Sequence, residues 1–219
     1  MTTANVFGIV PVKGLHESKM RLSTVLGPDR RRTLTRVMIE NVLDALKESA
    51  IKEVLVVSPD LSVREIADEH NVSFLRPKVA GLNPSLREAI EWCLKKNAES
   101  ILILPADLPL ASSEDVARLL DLGSEESIVV VAPSADGGTN ALLLRPPNVI
   151  PVCFGPGSFY EHVKEALEKD VPLRFYFSQG VMLDVDSEDD LKKLLEFEGC
   201  AESKKVVTQI LLLMKNAEG

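Results

Sequence analysis

Uninterrupted apolar runs alternate along this chain with stretches whose apolar residues recur every third or fourth position. The runs predict strands at Val6–Val12, Glu53–Ser58, Val72–Leu75, Ile101–Leu104, Ile128–Ala132, Ala141–Leu144, Leu173–Phe177 and Met182–Val185. Helical spacing is clearest from Arg30 to Glu48, where Leu34, Val37, Met38, Val42, Ala45 and Leu46 share one face. Shorter helices are expected at Val63–His70, Ser85–Lys96, Glu114–Leu122, Phe159–Glu168, Glu188–Phe197 and Lys204–Lys215. Continuously apolar strands alternating with helices predict an α/β fold: a mostly parallel sheet flanked by helices on both faces. With 219 residues and no repeat or low-complexity linker, a single domain spanning 1–219 is expected, with 203–219 a C-terminal helical tail.

Charge and cysteines narrow the setting. A net charge of −8 argues against nucleic acid or an anionic membrane as the main partner, but leaves anionic small ligands open. Cys93, Cys153 and Cys200 form no C-x-x-C pair, so neither a disulfide framework nor a zinc site is expected. No basic region followed by an apolar run opens the chain, and Val206–Met214 is too short to span a bilayer, so a cytoplasmic location is expected.

Parallel sheets bind ligands beyond the carboxyl ends of their strands, which directs attention to strand-end residues. After the first strand, Lys13, Lys19 and Arg21 place three cations close together, suited to a polyphosphate or else to a solvated basic loop. No G-x-G-x-x-G or P-loop pattern is present to hold phosphates by backbone amides alone. In ILILPADLPL, Asp107 stands between Pro105 and Pro109, as a ligand for a hard divalent cation or as a turn or helix-cap aspartate. In LDVD, Asp184 and Asp186 would face one side of an extended segment, where two like charges call for a cation between them. Ser187 and Asp190 also fit a capping box for the following helix. Gly155 and Gly157 precede Ser158, which with Glu161 fits either a capping box or an anion site at a helix N-terminus. His16, His70 and His162 lack metal-ligand spacing and are expected in solvated or capping roles, and the cysteines and Trp92 as core residues.

Taken in order, P-V-K with K-x-R-L after it, P-A-D-L-P-L, G-T-N-A-L, F-G-P-G-S-F and L-D-V-D resemble the 2-phospho-L-lactate guanylyltransferases from Ile9 to about Leu191. The resemblance implies a nucleotide-diphospho-sugar-transferase-like fold and magnesium-dependent transfer of GMP from GTP to 2-phospho-L-lactate in coenzyme F(420) biosynthesis. Phosphoenolpyruvate is the alternative acceptor, and a non-catalytic nucleotide-binding relative the alternative role. Carried over by motif, Lys13, Lys19 and Arg21 would contact phosphates, and Asp107, Asp184 and Asp186 would hold Mg2+. Thr139, Gly155 and Ser158 would bind the phosphorylated acid, with Asn83 and Asn140 near the nucleotide. The chain departs from the family's G-T-G-T-N at Asp136-Gly137-Gly138-Thr139-Asn140, which makes that loop's contacts less secure than those of LDVD. A homodimer is expected, with Ile210, Leu211, Leu213 and Met214 packing on the partner.

Overall fold

The structure is a computed structural model describing residues 5–15, 19–196, 207–210 and 212. Seven strands form one sheet: β1 (Val6–Pro11), β2 (Glu53–Val57), β3 (Ser73–Leu75), β4 (Ser100–Ile103), β5 (Ile128–Pro133), β6 (Thr139–Arg145) and β7 (Leu173–Phe175). Their order is β3-β2-β1-β4-β6-β5-β7. All neighbours are parallel except β6, which runs antiparallel to both β4 and β5. The helices are α1 (Pro28–Lys47), α2 (Ser62–Glu69), α3 (Leu82–Lys95), α4 (Ser113–Leu122), α5 (Ser158–Glu168), α6 (Gln179–Met182) and α7 (Glu188–Leu195).

The continuous apolar runs have a physical reason: both faces of the sheet are covered. On one face Val10, Val56, Leu102, Val130 and Leu143 pack under α1, α2 and α4; on the other Ile9, Leu55, Ile103, Val131 and Leu142 pack under α3 and α5. A smaller cluster gathers Leu34 and Met38 of α1, Leu110, Val185, and Leu191 and Leu194 of α7. Val207 and Ile210 are buried in that same cluster, so the Ile210 expected to face a partner packs inside its own chain. Leu211, Leu213 and Met214 lie outside the described residues, as do most of the 203–219 tail, Cys200 and His16.

The expected strand at Met182–Val185 is absent. Ser178 caps a short helix there by accepting from the Val181 amide, and the chain then runs extended from Leu183 without joining the sheet. Apolar content misled because Val181 and Val185 are buried by helix packing instead. Asp115, the third residue of α4, holds this segment. Its carboxylate accepts from Tyr176 Oη at 2.8 Å and Ser178 Oγ at 2.6 Å while closing a capping box with Ser112. Burial and the bond to Asp115 push the Tyr176 phenol up to about 12. Gly180 makes the close approach possible, because a Cβ there would lie 2.5 Å from Asp115 Oδ2 and 2.8 Å from Leu110 O.

Gly180→Ala is therefore expected to destabilise the fold by about 1–3 kcal/mol, since the backbone oxygen cannot swing aside. A lowered urea midpoint with an unchanged denaturant slope is the outcome to look for, and an unshifted midpoint would contradict this packing.

Candidate active site

The parallel pairing of β1 with β4 brings both strand exits to one edge of the sheet. Asp107 follows β4 in a turn anchored on both sides by apolar contacts, Leu104 and Leu108 in the main core and Leu110 in the smaller cluster. The Val185 amide donates to the Asp107 carbonyl at 3.1 Å, stitching LDVD alongside. Buried Val185 points inward between Asp184 and Asp186, which leaves both acids towards the edge. Lys19 completes the cluster from 88 and 167 residues away: its Nζ lies 3.2 Å from Asp107 Oδ2 and 2.6 Å from Asp186 Oδ1. Its backbone is left-handed (φ 56°, ψ 36°), a conformation that costs a non-glycine residue about 1–2 kcal/mol, and it opens a 3-10 turn at Met20–Leu22.

Electrostatics follow from this geometry. Burial alone would lower the Lys19 ammonium, but Asp107 and Asp186 outweigh it and raise it above its ordinary value. Among the described residues Asp184 has no such cation. Burial raises its carboxyl, and the charges of Asp107 and Asp186 add to that against the bond it accepts from Asn140 Nδ2 at 3.2 Å. Among the described residues no three His, Cys, Asp or Glu side chains converge closely enough to hold a metal ion. The three expected ligands are neighbours, but two of them close on an ammonium. Two carboxylate oxygens that share one ammonium nitrogen are near enough to share one ion, and an all-oxygen donor set suits a hard divalent cation.

β6 enters the sheet at this same edge because it runs antiparallel to its neighbours. Its first two residues serve opposite sides. Between the pairs Ala132↔Ala141 and Pro133↔Thr139 the register shifts, leaving Asn140 as an extra residue on β6. Asn140 reaches Asp184 while Thr139 turns towards α5.

Thr139, Ser158 and His162 form a buried polar knot. Ser158 Oγ donates to Thr139 Oγ1 at 3.0 Å, His162 Nδ1 lies 3.0 Å from the same oxygen, and the Cys153 amide donates to His162 Nε2 at 3.1 Å. The histidine is fully buried, not solvated or capping as expected, and burial pushes it down to about 4. Its remote position in sequence hid this role, and the spacing of four between Ser158 and His162 on α5 is the one signal that placed them together. Gly157 is the N-cap of α5, in a left-handed conformation (φ 71°), and no side chain caps the helix, so the Ser158–Glu161 capping box does not form. The amides of Ser158, Phe159 and Tyr160 already donate to the carbonyls of Gly155, Gly137 and Gly157. A helix N-terminus with free amides is therefore not what this loop offers. Exposed Gly155, φ 139°, carries the loop around the outside. The capping box of Ser187 with Asp190 does form, at the start of α7.

The remaining expected residues separate. Asn83 clamps the loop rather than facing open space: its amide donates to Phe154 O at 2.9 Å and accepts from Phe154 N at 2.7 Å. Lys13 is exposed beyond β1, on a loop held by the Leu15 amide donating to Asp60 Oδ2 at 2.9 Å. Arg21 is exposed and lies within electrostatic reach of Asp136, whose carboxyl is held low by the Ser134 hydroxyl, the Gly138 amide and that arginine. His70 does close the end of α2, with Nδ1 3.0 Å from Ile66 O. Cys93 is a core residue, its thiol pushed up to about 12 by burial.

Residues 6–218 match the family described as guanylyl transferase CofC like. Over 191 residues the chain is 44% identical to a phosphoenolpyruvate guanylyltransferase of Rubrobacter xylanophilus, covering 87% of this chain and 93% of that one. Over 212 residues it is 33% identical to a 2-phospho-L-lactate guanylyltransferase of Methanothermobacter thermautotrophicus, covering 96% and 93%. Its fold is that of a Desulfovibrio desulfuricans protein described as a nucleotide-diphospho-sugar transferase (TM-score 0.79, 16% identity, 98% of both chains). A cytidylyltransferase of Leptospira borgpetersenii shares it too (TM-score 0.61, 16% identity, 98% and 96%).

Raised in the fold, the Asp184 carboxyl costs stability when ionised and nothing once folded and unfolded states are both protonated. Metal-free Asp184→Asn is thus expected to melt above wild type at pH 7. The gain should shrink as pH falls through the raised pKa and vanish near the unfolded value of about 4. Melting temperatures across that range in the presence of a chelator check the sign.

Proposed function

The chain belongs to the CofC-like guanylyl transferase family, and from that premise we propose that it transfers GMP from GTP to 2-phospho-L-lactate, releasing pyrophosphate and lactyl-2-diphospho-5′-guanosine. The observation that carries this is the Lys19–Asp107–Asp186 cluster at the carboxyl edge, with Asp184 beside it, in a fold shared with nucleotidyltransferases. No protein nucleophile is needed, because the acceptor's phosphate oxygen attacks the α-phosphorus in line. The protein's task is to hold two mutually repelling anions together and offset the charge of the transition state.

Asp107 and Asp186 would hold Mg2+, with Asp184 beside them, and the ion would supply positive charge against the phosphates. Lys19 then has a triphosphate to pair with in place of two carboxylates. Exposed Lys13 and Arg21 are free to close on phosphate oxygens. Asn140, bonded to Asp184, keeps that carboxylate aimed at the edge. Asn83 and the bonds around Thr139 hold the Phe154–Ser158 loop as a wall for the phosphorylated acid.

Phosphoenolpyruvate as acceptor is a second reading, favoured by the 44% identity to an enzyme of that name against 33% to the phospholactate enzyme. A cytoplasmic homodimer completes the proposal, the compartment in keeping with free Cys93 and Cys153 and with GTP as substrate.

Pyrophosphate release across GTP, ATP, CTP and UTP with each acceptor tests the assignment: turnover confined to GTP and one three-carbon phosphorylated acid is expected. Asp107→Asn should fold normally and lose at least about a hundredfold in kcat, because it removes one of the two charges that pair with Lys19 and that would face the metal. Near-normal turnover by that variant would sink the metal assignment.

A further inference from the structure

His162 is a fully buried histidine with both ring nitrogens engaged, and the chemistry of its partners dictates its tautomer. A backbone amide can only donate, so the Cys153 N–H makes Nε2 an acceptor. A neutral imidazole has one hydrogen, which must then sit on Nδ1 and be donated to Thr139 Oγ1. Ser158 Oγ donates to that same oxygen. Both lone pairs of the Thr139 hydroxyl are thus filled from within the chain, and its own hydrogen is left to give. Among the described residues it has no acceptor for that hydrogen.

We propose that His162 is a positioning residue for the acceptor: by donating through Nδ1 it keeps the hydrogen of the Thr139 hydroxyl free for an anionic oxygen of the phosphorylated acid. This rests on the guanylyltransferase reading above. The charge of the ligand matches the device, since a free hydroxyl hydrogen favours an oxyanion and a free lone pair would repel it. The device is confined to one half of the edge. His162 touches the loop through Cys153 and stacks edge-on against Phe154 with ring centroids 5.2 Å apart, whereas Asn140, the next residue of β6, serves Asp184. Loss of the Nδ1 donor therefore weakens the acceptor and spares GTP.

The two amide isosteres separate orientation from packing. In His162→Asn the side-chain NH2 overlays Nδ1 and can still donate to Thr139, but nothing reaches the Cys153 amide. In His162→Gln the terminal amide lies near Nε2 and can accept from Cys153, leaving Thr139 without its donor. For His162→Gln we expect the acceptor KM, and its Kd by calorimetry in the full-length protein, to rise about tenfold or more, with the GTP KM within about threefold. His162→Asn should restore acceptor affinity to within about threefold of wild type even though its melting temperature falls. Equal rises in both KM values, or Asn performing no better than Gln, would overturn the proposal in favour of a purely structural histidine. Should His162→Gln fail to fold, His162→Asn alone decides: a wild-type acceptor Kd supports the proposal and a tenfold weaker one overturns it. Wild-type protein that binds neither acid sinks the function and this inference together, whereas binding without turnover sinks the function alone.

Discussion

Three carboxylates within electrostatic reach of one another are unstable unless a cation joins them, and the rest of this edge is arranged around that constraint. Lys19 answers it, from a strained backbone and with both Asp107 and Asp186 in contact. The Asp184 carboxyl sits high because burial and the charges of Asp107 and Asp186 outweigh the bond it accepts from Asn140.

The elements that hold the acids are apolar. Leu108 and Leu110 anchor the turn at Asp107, Val185 plugs LDVD into the smaller core, and one backbone bond from Val185 to Asp107 joins them. Asp115 performs a parallel task out of sight of the site, where four donors from Ser112, Tyr176 and Ser178 fix the approach to LDVD. Rigid placement of charged groups by buried neighbours is what catalysis by charge complementarity requires, because such groups do not reorganise during the reaction.

The reversal of β6 divides the edge in two. Were it parallel, Thr139 and Asn140 would open the strand at the far side of the sheet. Antiparallel, and with a bulge at Asn140, it hands one side chain to the acids and the next to the α5 loop. The separation of the acid cluster from the knot of Thr139, Ser158 and His162 follows from that one strand.

Much of this was legible in the order of residues. Runs such as ILIL and IVVVA become strands because both faces of the sheet are buried, and the α1 stripe becomes its cover because 3.6-residue periodicity needs no partner to be seen. Asp107, Asp184 and Asp186 were recognisable as one group, and Lys19 with Lys13 and Arg21 as another, from charged residues placed just after apolar runs. What linear order does not contain is which nitrogen meets which oxygen. Only the tertiary structure decided that Lys19 bridges two of the acids, that Asn83 clamps Phe154 instead of standing open, and that His162 lies buried. Hydrogen bonds have a reach of about 3 Å, and whether residues 88 or 167 positions apart come within it depends on register, a bulge and strand direction, none of which local pattern encodes.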